Sequence, residues 1–165
     1  MGKIDNIIEG LLERKEPDPE DMDFGGNPNT VFRDKGKRVS GYHIRPNANL
    51  LGANLQYANL QHANLQHANL QHVNLQHANL QHANLRNADL RYANLLTADL
   101  RDVNLRNANL QYIDLRYANL QDANLRGAFL QGADLTGVQW TGANVKEVNW
   151  GDNTPPETNE DGICV

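Results

Sequence analysis

The sequence has a single cysteine, Cys164, which excludes an intrachain disulfide and any metal cage built from cysteines. Its three Phe, two Trp and five Tyr are too few for large aromatic side chains to dominate a core. Apolar residues make up only 39% of the 165, low for an ordinary layered core, so small and medium side chains must do the packing. No apolar run reaches the roughly 18 residues that a membrane-spanning helix needs. The start, Met1-Gly2-Lys3-Ile4-Asp5-Asn6, has neither a secretory apolar stretch nor the Ser or Thr at position 6 that favours myristoylation. These absences predict a cytoplasmic protein with no membrane partner. A net charge of −5 argues against a general nucleic-acid binder and falls short of the dense acidity that imitates DNA.

What is present divides into an extension, a long repeat and a tail. Ile4, Ile7, Ile8, Leu11 and Leu12 fall at helical spacing, with Asp5 early and Arg14 and Lys15 late, so a short amphipathic helix is predicted over about 4–15. The stretch from Glu16 to Thr30 holds three prolines, two glycines and five acids without periodicity, and reads as an acidic linker. A strand or hairpin is predicted near 39–44, which completes an N-terminal extension of residues 1–45. Residues 46–150 form the repeat domain, and 151–165 are expected to be a flexible tail.

Within the repeat, every fifth residue from Leu50 to Leu135 is leucine, eighteen in succession. Two places earlier stand fifteen alanines plus Val73, Val103 and Ile113. Between them lies Asn thirteen times, Asp at 89, 99, 114 and 134, and Phe129 once. An α-helix would rotate residues five apart by about 140° and scatter the leucines around its surface. Ala-Asn-Leu instead alternates in, out, in, which is the period of an extended strand with one face buried. The remaining pair, such as Gln61-His62, must turn a corner. Four such corners return the chain above its start after 20 residues, with coils stacked at about the 4.8 Å spacing of paired strands.

Units such as Ala63-Asn64-Leu65-Gln66-His67 and Ala98-Asp99-Leu100-Arg101-Asp102 resemble the pentapeptide repeat family. The resemblance implies an all-β, right-handed quadrilateral β-helix, here a solenoid of about five coils. It does not imply one function. Family members include gyrase-binding proteins that mimic DNA, developmental regulators and many proteins of no known role, and the family is abundant in cyanobacteria.

A 20-residue coil stacks residue i on i+20, so the sequence can be folded into columns. The inner column Ala53, Val73, Ala93, Ile113, Ala133 alternates small and large, which compensates volume in a tight core. Outside, Gln66, Arg86, Arg106, Arg126 and Lys146 form a basic edge, while His62, His82, Asp102 and Asp122 line the opposite corner of the same side. Asn64, Asn84, Asn104, Asn124 and Asn144 run between them. Arg86, Arg106, Arg126, Lys146, Asp102 and Asp122 are therefore the candidate interaction surface for a charged protein partner, although repeat duplication alone also copies surface residues into columns.

Other chemistry is poorly supported. Of the histidines His62, His67, His72, His77 and His82, only His62 and His82 share a column, and two ligands make an incomplete metal site. There is no phosphate-cradling loop and no nucleophile with its base, so neither enzyme nor cofactor is expected. Residues 48–147 carry seven acids and seven bases. That neutrality favours a structural or protein-interaction scaffold over the alternative, a DNA-mimic inhibitor or modulator of DNA gyrase or topoisomerase, and makes a nucleic-acid partner a poor expectation. A bare coil end would template further stacking. The N-terminal helix is expected to cover the first coil and Trp140 and Trp150 the last, while an uncovered end would admit a homodimer.

Overall fold

A computed structural model of the protein describes residues 37–165. The helix expected over about 4–15 and the acidic linker lie outside those residues. The first described element is an antiparallel hairpin of β1 (Lys37–Val39) and β2 (Tyr42–Ile44). Ser40 and Gly41 turn it with φ of 51° and 84°, the two positive values that a tight hairpin turn requires. Ile44 is buried, and Val39 and Tyr42 pack against the core that begins with Ala48.

From there the chain coils. Parallel backbone bridges join Asn49 to Asn69, Asn54 to Asn74, Asn59 to Asn79 and Asn64 to Asn84, and each series continues in steps of 20 towards the C-terminus. Four bridge series define four sides. The first runs through Asn49, Asn69, Asp89, Asn109, Phe129 and Asn149; the fourth runs through Asn64, Asn84, Asn104, Asn124 and Asn144. Among the described residues there is no helix.

The unit 83–87 shows why five residues suffice, because each of its N–H groups has a partner. Ala83 donates to the Leu80 carbonyl at 3.0 Å and closes the preceding corner. Asn84 donates to Ala63 in the coil before, while Leu85 and Asn87 donate to Asn104 and Arg106 in the coil after. Only the Arg86 N–H has no backbone acceptor, and it donates to Oδ1 of Asn84, two residues back, at 3.2 Å. A side-chain oxygen at the central position thus completes the hydrogen bonding, which is why Asn or Asp stands there. Phe129 lacks that oxygen, and no such bond forms to Gln131.

Each corner ends in a residue with positive φ, such as His72 (56°), Tyr92 (59°), Thr97 (55°) and Asp102 (57°). For residues other than glycine this conformation costs on the order of 1–2 kcal/mol. Cross-coil hydrogen bonds and ring stacking offset it: His72 on Tyr92 and Tyr92 on Tyr112 lie 5.0 and 5.2 Å apart, nearly parallel. At the foot of that ladder Gly132 (φ 68°) lies against the Tyr112 ring, 2.5 Å from where a Cβ would sit. Any side chain there would displace the tyrosine.

The interior holds leucine and small residues, and none of the described buried side chains is polar or charged. The every-fifth leucines from Leu55 to Leu130 are all within 1% of complete burial. Enlarged inner residues are accommodated by slight outward displacement: corner bonds at Val73 and Ile113 lengthen to 3.3 and 3.4 Å, against 3.1 Å at Ala93 between them. The alternation along this column keeps two such displacements from being adjacent.

At the C-terminal end the expectation of a flexible tail is corrected. Ile163 pairs antiparallel with Asn144, adding a rung to the fourth side, and Thr158 pairs with Cys164. Cys164 donates to Ala143, and Gly142 and Val145 donate to Cys164 and Gly162, each at 2.9 Å. The Cys164 side chain is buried, while Asn153 reaches the Leu130 carbonyl at 2.7 Å. The reason is the one that makes exposed strand edges unfavourable: the last coil presents unpaired backbone groups, and the tail supplies partners. Trp140 and Trp150 meet edge to face at 5.8 Å and pack beside the core.

Candidate functional site

The central Asn-or-Asp position controls the charge of the rod as well as its hydrogen bonding. Asp differs from Asn in lacking donors and carrying charge, so an arginine two residues later can close onto it. Arg91, Arg101 and Arg116 each follow an Asp-Leu pair. Their guanidinium groups bind Asp89, Asp99 and Asp114 with NH2-to-carboxylate distances of 2.7, 2.7 and 2.8 Å, and each pair is two-pronged through Nε as well. The Arg101 and Arg116 hydrogen bonds hold the Asp99 and Asp114 carboxyls below the ordinary value against a smaller effect of burial. At Asp89, burial pushes the carboxyl up, but hydrogen bonds and attraction from Arg91, with a hydrogen bond from Gln71, together outweigh it.

Arg86, Arg106 and Arg126 follow an Asn-Leu pair instead, and all three lie along the fourth side. Among the described residues Arg86 and Arg106 form no ion pair. Arg106 exerts only a longer-range attraction on Glu147. Arg126 is paired with Glu147, at 3.0 Å, which lowers that carboxyl from its ordinary value. Lys146 ends the column, and among the described residues it has no ion pair. The fourth side is also the one whose central column from 64 to 144 contains no Asp.

Its asparagines have a fixed polarity. In all five, Oδ1 accepts the N–H of the residue two further on, at 3.1 to 3.3 Å. An amide nitrogen cannot accept that bond, so the oxygen must face the backbone and Nδ2 is left for the outside. A row of amide donors therefore runs beside a row of cations. Across the strip, His82 lies 3.8 Å from Asp102, and both are about half exposed. Asp122 continues this edge and lies against Gly142, where any Cβ would clash with its carboxylate.

The six candidate residues thus lie along the two edges of one side, as folding the sequence into columns placed them. The column count missed the local pairing. Formal neutrality treated all arginines alike, although the Asp-Leu-Arg triplets that mark Arg91, Arg101 and Arg116 as closed are visible in the sequence, whereas the Arg126–Glu147 pair is set by the next coil. The outward Nδ2 row was missed as well. His62 and His82 stack at 4.9 Å, and the described residues contain no group of three or more His, Cys, Asp or Glu placed to hold a metal.

A stacked, four-sided coil with a filled core and a decorated exterior is a repeat solenoid. More narrowly, the chain belongs to the family of pentapeptide repeats, whose model matches eight copies over residues 46–71, 68–107 and 98–137. This carries with it the right-handed β-helix. A pentapeptide repeat protein from the Arabidopsis thaliana thylakoid lumen is similar at 30% identity and TM-score 0.49, covering 63% of this chain and 69% of that one. The pentapeptide repeat protein Rfr23 from the cyanobacterium Cyanothece 51142 is also 30% identical, at TM-score 0.43, covering 64% and 90%. QnrB1, a plasmid-mediated fluoroquinolone resistance protein, aligns at 16% identity and TM-score 0.26, covering 66% and 77%. None of the curated proteins matches this chain.

Proposed function

We propose that the protein is a non-enzymatic scaffold that recruits another protein by docking one of its acidic segments on the fourth side. The supporting observation is the division of the arginines: those after Asp are closed, while among the described residues Arg86 and Arg106 after Asn have no ion pair. Removing water from a guanidinium is favourable only when a carboxylate or similar acceptor replaces it. The five outward Nδ2 groups ask for acceptors as well. Because these groups sit on stacked strands rather than loops, their spacing is set before any partner arrives, which limits the ordering cost of binding.

A DNA mimic would present rows of acceptors, whereas the strip and the arginine edge of this side present donors and only its other edge carries Asp102 and Asp122. A supercoiling assay with purified gyrase checks that contrast, and inhibition at stoichiometric protein would overturn the scaffold reading. The direct test is the triple reversal Arg86→Glu, Arg106→Glu, Arg126→Glu, used with the intact chain for affinity capture from the native organism. Loss of a partner retained by the unaltered protein, with circular dichroism unchanged, supports the proposal. Retention of every partner removes the fourth side from consideration.

A further inference from the structure

We infer that the occupant of the fourth side is an α-helix of the partner protein, lying along the rod axis with a stripe of carboxylates against the arginine column. This rests on the reading of that side as a docking face and adds the geometry of what docks. Four cations, Arg86, Arg106, Arg126 and Lys146, recur once per coil. At the strand spacing of about 4.8 Å the column spans roughly 14 Å. Carboxylates one per helical turn, about 5.4 Å apart, span roughly 16 Å over the same three intervals, a mismatch that long arginine side chains absorb. Same-face residues of an extended peptide, about 6.7 Å apart, span roughly 20 Å and leave the column's register.

Width agrees with this. The acidic corner at Asp102 and the basic corner at Arg106 are four residues apart, at most about 13 Å along extended chain. A helix with its side chains measures about 10–12 Å across, so one helix covers the strip from edge to edge. Charge then sets its rotation: acids face Arg86, Arg106 and the Nδ2 row, and the flank towards Asp102 and Asp122 is basic or neutral.

Two other occupants fit less well. A second copy placed fourth side to fourth side would set amide donors against amide donors, because every Oδ1 is already turned to its own backbone. A phosphate backbone would satisfy the arginines but meet Asp102 and Asp122, two half-screened like charges, on the opposite edge.

Fluorescently labelled synthetic peptides and the full-length protein provide the test, read by anisotropy at low salt. The first peptide is an alanine-based helix with Glu at positions i, i+3, i+7 and i+10 and Lys on one flank. The second is a helix of identical composition with the Glu residues dispersed, and the third an alternating Glu-Val extended peptide. A thymidine oligonucleotide is the fourth probe. The striped helix is expected to bind at least tenfold tighter than the other three. Arg86→Glu with Arg106→Glu should abolish that binding, whereas Arg101→Glu, on the third side and already paired, should leave it within twofold. Equal binding of the striped, dispersed and extended peptides would overturn the helix while preserving acidic docking. If no acidic peptide binds, or if the double reversal changes nothing, both readings fall. Tighter binding of the oligonucleotide would assign the face to nucleic acid instead.

Discussion

Asn94, in the middle of the second side, gives the sharpest test of why the repeat carries Asn. Its Oδ1 accepts the Leu96 N–H at 3.0 Å, the one donor of the unit for which the coil offers no carbonyl. Replacing Asn94 by Ala removes the acceptor and leaves the backbone unchanged. A net hydrogen bond contributes about 0.5–1.5 kcal/mol. Asn94 is only half-buried, so water can partly replace the lost acceptor, and about 1 kcal/mol is the expected loss. Asn94→Asp keeps the oxygen, and because the carboxylate it sets beside Asp114 meets one already closed onto Arg116, it should stay within about 0.5 kcal/mol of the parent. Urea unfolding followed by circular dichroism measures both, with the slope unchanged if only stability moves. Hydrogen exchange at the Leu96 amide gives the local readout, with protection lost in Asn94→Ala and kept in Asn94→Asp. Equal stability of the two variants, with Leu96 equally protected, would refute the assignment of the Asn column to backbone satisfaction.

Three further outcomes follow from the same structure. Ala93→Val would make three enlarged inner residues in succession, with Val73 on one side and Ile113 on the other, and should destabilise by about 1–3 kcal/mol; Ala98→Val, in a column with Ala78 and Ala118 as neighbours, should cost less in the same urea titration. Asp99 and Asp114 have carboxyls below their ordinary value in the folded state, so their contribution is complete above the unfolded value near 4 and is lost as pH falls through the lower folded one. Each exposed pair is worth about 0.2–1 kcal/mol, and Asp99→Asn with Asp114→Asn should flatten that part of the acid limb, measured as urea midpoint against pH; an unchanged slope below pH 4 would count against the pairs. The Cys164 thiol, whose pKa is raised by burial where the folded-back tail meets the last coil, should react slowly with a thiol reagent, and Gly162→Val, whose Cβ would press on Lys146 at 3.2 Å from a φ of 75°, should speed labelling severalfold.

The period of five made the coil legible in the sequence, because neither a helix nor an ordinary sheet gives eighteen spaced leucines a common interior. Columns followed from that period alone, and so did the separation of the histidines onto different corners. The tail was not legible, since Ile163 on Asn144 is a single pairing that repeats nowhere. The open arginines were half legible. Their column could be read from i+20, but whether each is paired depends on local neighbours, the residue two places earlier for Arg91, Arg101 and Arg116 and Glu147 in the next coil for Arg126, relations that a count of net charge averages away.

The central position therefore works as a switch. Asn and Asp hold the same backbone N–H with the same oxygen, so exchanging one for the other leaves the coil intact, yet only Asp gives an arginine two residues on a carboxylate of its own unit to close onto. On the proposed docking, single amide-to-acid exchanges, coil by coil, would close a side of the rod to an acidic partner without touching the core. Surface charge and folding are in this respect separately adjustable, since the leucines that fill the core take no part in the exchange.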